Sequence, residues 1–503
     1  MAEDSFAISQ QYNFGVWKFL LSIFHVGNSP IVASSAAVEQ NIDTLWRAQL
    51  SVFVMLILES FHLRLRALGK FVETYLNIIH ANGGLSNILY MIFTASASDI
   101  VWPKPGSRNY VSVIGHLDSR TQLDRTIGIE HGGREIGGIT SHTFFPQTSA
   151  PECVLMAELC MMSSKLSYEN AEVVKAVVTE TWNMNFVTQY NCWNEAQRVN
   201  ATQVFLATDK QEDARVIVVA FRGTETFNTF DWITDIDFSW HKLENLGRVH
   251  VGFLEALGLG SRNNLETFAE LQRKLLEPPA SRGPSISGMS GNIRSTKLLA
   301  HDVVTQKLKE LTQTHKDAKI YITGHSLGGA LACLYSALLY HSKESELADK
   351  IGGVYTFGQP RVGNDEFVNF YNEKLTQPVN RYFRVVYNDD LVPRIPFDDE
   401  ISGFKHAGIC RYFNSFYTGQ LLVEVPNKNY FSIFYYLPMA VSAIWELIYN
   451  TLISPFVHGD AYFETRTSTL FRILGVIFPG VGSHSPVNYV NSIRLGTSSE
   501  PLW

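Results

Sequence analysis

Apolar positions recur at helical spacing through the opening of the chain. Between Leu45 and Leu65, Leu50, Phe53, Val54, Ile57, Leu58 and Phe61 fall on one helical face. The run LSVFVMLIL inside this stretch is shorter than the roughly 20 apolar residues needed to span a bilayer. From Thr74 to Ser98 there is no Asp, Glu, Lys or Arg, which is long enough, but Gly83-Gly84 and Asn77, Asn82 and Asn87 interrupt it. The pattern predicts an apolar helical region over residues 1–110 that packs on the rest of the chain or embeds in a lipid surface rather than crossing it as a plain helix.

After WPKPGS (102–107) the pattern becomes that of an ordinary globular domain. Alternation and β-branched residues predict strands at Thr202–Thr208, Arg215–Phe221, Lys319–Thr323, Gly353–Phe357 and Arg381–Tyr387. Helices are predicted at Met156–Tyr168, Lys297–Thr314, Leu327–Tyr340 and near Glu366–Leu375. Alternating strands and helices imply a mostly parallel sheet covered on both faces. The Pro-, Gly- and Ser-rich stretch 278–295 reads as a mobile loop. A second apolar block, 430–458, carries a single charge, Glu446. Leu437, Val441, Ile444, Ile448 and Leu452 make one helical stripe in it, bracketed by Pro438 and Pro455. That stripe suits either a large core helix or a second surface that meets lipid.

Composition sharpens this. Only 18% of the 503 residues are charged, against about 25% in ordinary soluble domains. Either the core is large or some surface faces an apolar medium. The net charge, 41 − 48 = −7, argues against an electrostatic nucleic-acid binder. Cys153, Cys160, Cys192, Cys333 and Cys410 are scattered, with no CxxC pair, which disfavours a zinc or thioredoxin-like site and suits a reducing compartment. The opening MAEDSFAISQ lacks the basic segment of a secretory signal.

The chemistry gathers at Gly324-His325-Ser326-Leu327-Gly328-Gly329, a GxSxG motif between a predicted strand and a predicted helix. That turn is tight enough to require glycine on both sides, and it leaves Ser326 exposed at the carboxyl end of the sheet as a nucleophile. Serine needs a base and an orienting acid, which follow it in the order acid, then histidine. Asp389 and Asp390 both follow the strand RYFRVVY directly. Of His406, His458 and His484, the last sits in a late loop, GSHSPVNYV, that can reach back over the sheet, whereas His406 reads as structural. An oxyanion needs two donors. The Leu327 N–H is one, and the loop Phe221-Arg222-Gly223-Thr224 offers Thr224 as the other.

These residues resemble the class 3 lipases, the α/β-hydrolase family that includes fungal triacylglycerol lipases. The matching segments are VVAFRGTE (218–225), VHVGF (249–253), ITGHSLGGALA (322–332), YTFGQPRVGN (355–364), NDDLVPRIP (388–396) and HSPVNYV (484–490). A closer similarity, from about residue 110 onward, is to plant oil-body triacylglycerol lipases, through segments such as YVSVIGHLDSRT, YNCWNEAQ, DWITDIDFSW and VPNKNYFS. The resemblance implies an α/β-hydrolase domain over 111–496, with Ser326 as nucleophile, Asp390 rather than Asp389 as acid, His484 as base, and Thr224 and Leu327 as the oxyanion hole. It implies a lid at 225–235, where Phe227, Phe230, Trp232 and Ile233 supply the apolar area. At about 1.5–3 kcal/mol for each large side chain, burying four gives roughly 6–12 kcal/mol as an upper figure for closing the lid in water.

The implied activity is hydrolysis of acylglycerol esters to free fatty acids at a lipid-droplet or membrane surface, through an acyl-enzyme, with no metal or organic cofactor. A phospholipase A1, a galactolipase, a monoacylglycerol lipase and a non-catalytic lipase-like scaffold are the competing readings. The implied location is the oil body, with the endoplasmic reticulum membrane as a second site, inside the cell rather than secreted. The disulfides of the secreted fungal members have no counterpart in this cysteine pattern.

Overall fold

The computed structural model describes residues 5–6, 42–94, 96–124, 150–195, 197–224, 239–276, 297–342, 344–396, 398, 403–427 and 433–503. The expected lid (225–235, with Phe227, Phe230, Trp232 and Ile233) and the expected loop 278–295 lie outside them.

An eight-stranded sheet organises the molecule. Its strands are β1 (Asn185–Asn194), β2 (Val199–Thr208), β3 (Val216–Phe221), β4 (Lys319–His325), β5 (Ile351–Phe357), β6 (Tyr382–Tyr387), β7 (Cys410–Phe413) and β8 (Gly419–Leu422). They lie side by side in chain order. Neighbours from β3 to β7 pair in parallel, and the strands at both margins pair antiparallel. This is the mostly parallel sheet of the α/β-hydrolase fold.

Alternation along the strands divides the core in two. Val204 and Leu206 of β2 with Ile217, Val219 and Phe221 of β3 pack on one face against helix α6 (Leu327–His341). Phe205, Ala207, Val216, Val218 and Ala220 point to the other face, against α4 (Ala150–Leu166). Both faces are covered, as the near-continuous apolar strands require. The expected helices at 297–314 and 366–375 appear as α5 (Ala300–Thr314) and α7 (Asp365–Leu375). The hairpin Trp240–Leu243/Gly247–His250 was not anticipated from the pattern; its strands are four residues each, too short to establish a period.

A helical layer adjoins this core. Helix α1 runs Ile42–Ala81, about 60 Å at 1.5 Å per residue. It ends where the interrupting residues stand. Gly83 and Gly84 take φ of +73° and +106°, a region open to glycine, and α2 (Leu85–Phe93) begins anew. Asn77 and Asn82 are buried and do positive work. The Asn82 side chain donates to Val101 O and accepts from Val101 N, each at 2.8 Å. Asn77 does the same with Val111 O at 2.8 Å and Val111 N at 2.9 Å. The short helix α3 (Val113–Leu117) follows.

The block after residue 430 forms α8 (Ile433–Ile448), continuing helically through His458. It packs against α9 (Arg466–Ile477), ahead of α10 (Pro486–Leu495). Pro438 and Pro455 do not bracket the helix as expected. Pro438 lies inside α8 and Pro455 opens the segment Ser454–His458. Each proline stands within the helical run, Pro438 at the sixth residue of α8, and each gives up one backbone N–H bond there. The stripe Leu437, Val441, Ile444, Ile448 and Leu452 is exposed throughout, while Glu446, Asn450 and Ser454 on the opposite side are buried. In α9 the buried residues are Ser468, Arg472 and Gly475, and Leu470, Ile473, Leu474 and Ile477 face outward. Both helices are therefore built inside out. The run Tyr436–Ala461 is long and apolar enough to cross a membrane.

Candidate active site

The site begins with backbone geometry. Strand β4 ends at His325, α6 starts at Leu327, and Ser326 between them adopts φ 59°, ψ −135°, a strained conformation for a residue with a Cβ. Two glycines permit the turn. A Cβ on Gly324 would stand 2.1 Å from the Gly328 carbonyl, and one on Gly328 would stand 2.2 Å from Phe221 O. Ser326 is buried and its Oγ makes no hydrogen bond among the described residues. The N-terminus of α6 directs its partial positive charge at this point, and the Leu327 N–H, in the first turn, has no intrahelical acceptor.

Gly223, on the loop after β3, lies against the serine: a Cβ there would be 3.0 Å from Ser326 Cβ and 2.3 Å from His325 O. Thr224 is the next residue and is buried. The two expected oxyanion donors thus come from segments that meet at the nucleophile.

Asp390 sits on the turn leaving β6 and is fully buried. Its Oδ1 accepts from Val392 N at 2.9 Å and its Oδ2 accepts from His484 Nδ1 at 2.7 Å. Tyr489 Oη also donates to Oδ2. Burial and the Asp390 charge push the Tyr489 phenol well above its ordinary value, so it stays protonated and donating. Asp389, half-exposed, takes no part in this network. With the Nδ1 proton committed to Asp390, Nε2 is the nitrogen of neutral His484 that can accept a proton. Gly358 lies beneath all three groups: a Cβ there would be 2.9 Å from Asp390 Oδ2, His484 Cε1 and Tyr489 Oη.

His325 joins the two halves. Its Nε2 donates to His484 O at 3.0 Å, its Nδ1 accepts from Tyr168 Oη at 2.9 Å, and its ring stacks on His484 at 4.5 Å between centroids. Burial, then the neighbouring His484, hold its pKa well below the ordinary histidine value. One donor and one acceptor match a single neutral tautomer. His406 is likewise buried and donates from Nε2 to Pro393 O at 2.7 Å, the structural place expected for it.

Sequence reasoning missed Tyr168 and Tyr489. Tyr489 lies five residues after His484 as the fourth residue of α10, and its hydroxyl reaches the carboxylate that holds the histidine. Its proximity in the motif HSPVNYV was the available signal.

A strained serine at a strand–helix elbow, with an aspartate and a histidine following in that order from the same sheet edge, defines a serine hydrolase of the α/β-hydrolase class. Residues 218–400 match the class 3 lipase family. The triacylglycerol lipase OBL1 of Nicotiana tabacum is 42% identical, across 90% of this chain and 84% of that protein. The protein of the same name from Arabidopsis thaliana is 39% identical, across 92% and 87%. The solved triacylglyceride lipase of Rhizomucor miehei is 21% identical and covers 53% of this chain and 82% of its own, with a TM-score of 0.36. The chain belongs to the class 3 lipase family.

Proposed function

We propose that this chain hydrolyses triacylglycerol at a lipid surface through a Ser326–His484–Asp390 triad. The Asp390–His484 hydrogen bond, held beside the strained Ser326 elbow, is the observation that carries the reading. His484 Nε2 takes the Ser326 proton as Oγ attacks the acyl carbonyl. Asp390 keeps the imidazole in the productive tautomer and stabilises its cation. Leu327 and Thr224 donate to the oxyanion. His484 then protonates the departing glycerol oxygen, and a water molecule repeats the sequence on the acyl-enzyme to release the fatty acid. The OBL1 relatives, which carry the triacylglycerol lipase name, support the substrate class.

The hydrolase domain extends over 111–496, with 225–235 as its lid and Phe227, Phe230, Trp232 and Ile233 as the apolar face of that lid. Residues 1–110 and the block 430–458 form the lipid-associating layer. The outward apolar residues of α2, α8 and α9 support this, because they would otherwise leave a broad apolar surface in water. An oil body is the compartment that best fits such a surface and such a substrate.

The test is release of labelled fatty acid from emulsified triacylglycerol by the full chain and by Ser326→Ala. The variant should lose at least about 10³-fold in kcat, as other triads do. Retained turnover would remove Ser326 from the mechanism. A parallel panel of phospholipid, galactolipid and monoacylglycerol checks the substrate class.

A further inference from the structure

Glu446 is the single charge in the apolar block 430–458, and α8 turns it inward, where it is 4% exposed. Its Oε1 accepts from Asn388 Nδ2 and from Ser483 Oγ, the latter at 2.8 Å. Its Oε2 lies 3.5 Å from Arg472 Nη1 on α9. The first two partners matter most. Asn388, at φ 37°, opens the turn that carries Asp390 two residues later. Ser483 immediately precedes His484. One carboxylate therefore grips both loops that present the acid and the base. Arg472 completes the link by donating to Asn488 Oδ1, and Asn488 in turn holds Gly482 O at 3.0 Å and Ser483 O at 3.2 Å.

Stability alone gives little reason for a carboxylate here. Desolvating an ion pair usually costs about what it returns, and a well-packed apolar side chain would serve as well. What a carboxylate supplies and an apolar group cannot is an acceptor shared by two separate loops. The next turns of the same helix carry the exposed stripe Val441, Ile444 and Ile448, so the outward apolar face and the triad loops stand back to back on α8.

We propose that Glu446 is a positioning residue for the hydrolysis: from α8 it fixes the Asp390 loop and the His484 loop to each other, and so sets their placement against Ser326. The proposal rests on the triad reading above.

The experiment uses the full chain, a water-soluble short-chain nitrophenyl ester, and the rate of Ser326 labelling by a fluorophosphonate. Glu446→Leu should lower kcat about 100-fold with KM within about threefold, and slow labelling in parallel. The acid limb of its pH profile should move to lower pH, because a less well-placed Asp390 stabilises imidazolium less. Glu446→Gln keeps an oxygen that both donors can reach and should recover kcat to within about fivefold of the parent. A folded Glu446→Leu with kcat and labelling within threefold of the parent overturns the proposal, as does a Glu446→Gln as slow as Glu446→Leu. Should Glu446→Leu fail to fold, Ser483→Ala decides. A drop of about tenfold in kcat at constant KM supports the role, and an unchanged kcat overturns it. A parent protein that the fluorophosphonate does not label would instead refute the triad itself.

Discussion

Helices α6 and α8 are written in nearly the same alphabet and are used in opposite ways. Helix α6, LGGALACLYSALLYH, buries fourteen of its fifteen residues between sheet and flanking helices. Helix α8, IFYYLPMAVSAIWELI, buries Met439 and Glu446 and exposes Tyr436, Leu437, Val441, Ile444, Trp445 and Ile448. Apolar content decides that a segment avoids water; it does not decide what replaces the water. For α6 the replacement is the protein's own core. For α8 and its continuation the polar side faces the protein, where Glu446 accepts from Asn388 and Asn450 from Tyr417, and the apolar side faces outward. The direction of the few polar residues separates the two cases.

The sharpest way to break this contrast is to place the same charge on each helix. Leu334→Asp puts an unpaired carboxylate at a fully buried site of α6 and should cost more than about 4 kcal/mol, leaving no folded protein. Leu437→Asp, at a position 71% exposed on α8, should change the free energy of unfolding by no more than about 0.5 kcal/mol in buffer. Equal losses would mean that α8 is an ordinary core helix.

Acid should act on the buried histidines of the sheet side, and also on His116 in the helical layer, whose pKa burial lowers to about 4. His325 and His406 are held neutral in the fold, with pKa values well below 6.5, chiefly by burial. The unfolded chain therefore binds more protons below pH 6.5, and stability falls as pH falls, by up to about 1.4 kcal/mol per pH unit for each histidine. Thermal melts from pH 7 to pH 5 check the sign. His406→Gln should flatten the slope, since it removes one of these groups.

The smallest effect sharpens the α8 side. Leu437→Asp, neutral in buffer, should weaken partition onto a triacylglycerol emulsion about tenfold, the equivalent of withdrawing one large apolar side chain from lipid. Flotation of the variant with the emulsion at the parental level would show that α8 is not in contact with the lipid.

The sheet and the site were legible in the sequence for reasons the contrast also explains. Strands such as VIVVAF announce themselves because both faces of a parallel sheet are covered. The candidate nucleophile was marked by the elbow's glycines, which a local motif preserves, and the candidate base by chain order and its place in a late loop. Asp390 was separated from Asp389 only by resemblance, and the structure gives the physical difference: Asp390 lies under the sheet edge with three donors, and Asp389 stands half in solvent. The α8 stripe was visible as a stripe, but its sense was not, since a helical period is the same whichever side faces inward. Glu446 was visible as an isolated charge. Its partners, 58 and 37 residues away in sequence, are set by tertiary packing and leave no local trace.

The amides of Asn77 and Asn82 carry one more consequence. Each pairs with both the N–H and the C=O of a single residue, as a neighbouring β-strand would. They grip Val111 and Val101 by main chain alone, so the side chains at those two positions are nearly irrelevant to the grip. Mutational tolerance across this junction should be lopsided. Many residues other than proline can stand at 101 and 111, whereas at 77 and 82 even aspartate, with its oxygens but no N–H, would let go of half the contact. The grip on Val101 and Val111 is thus specified from the asparagine side only.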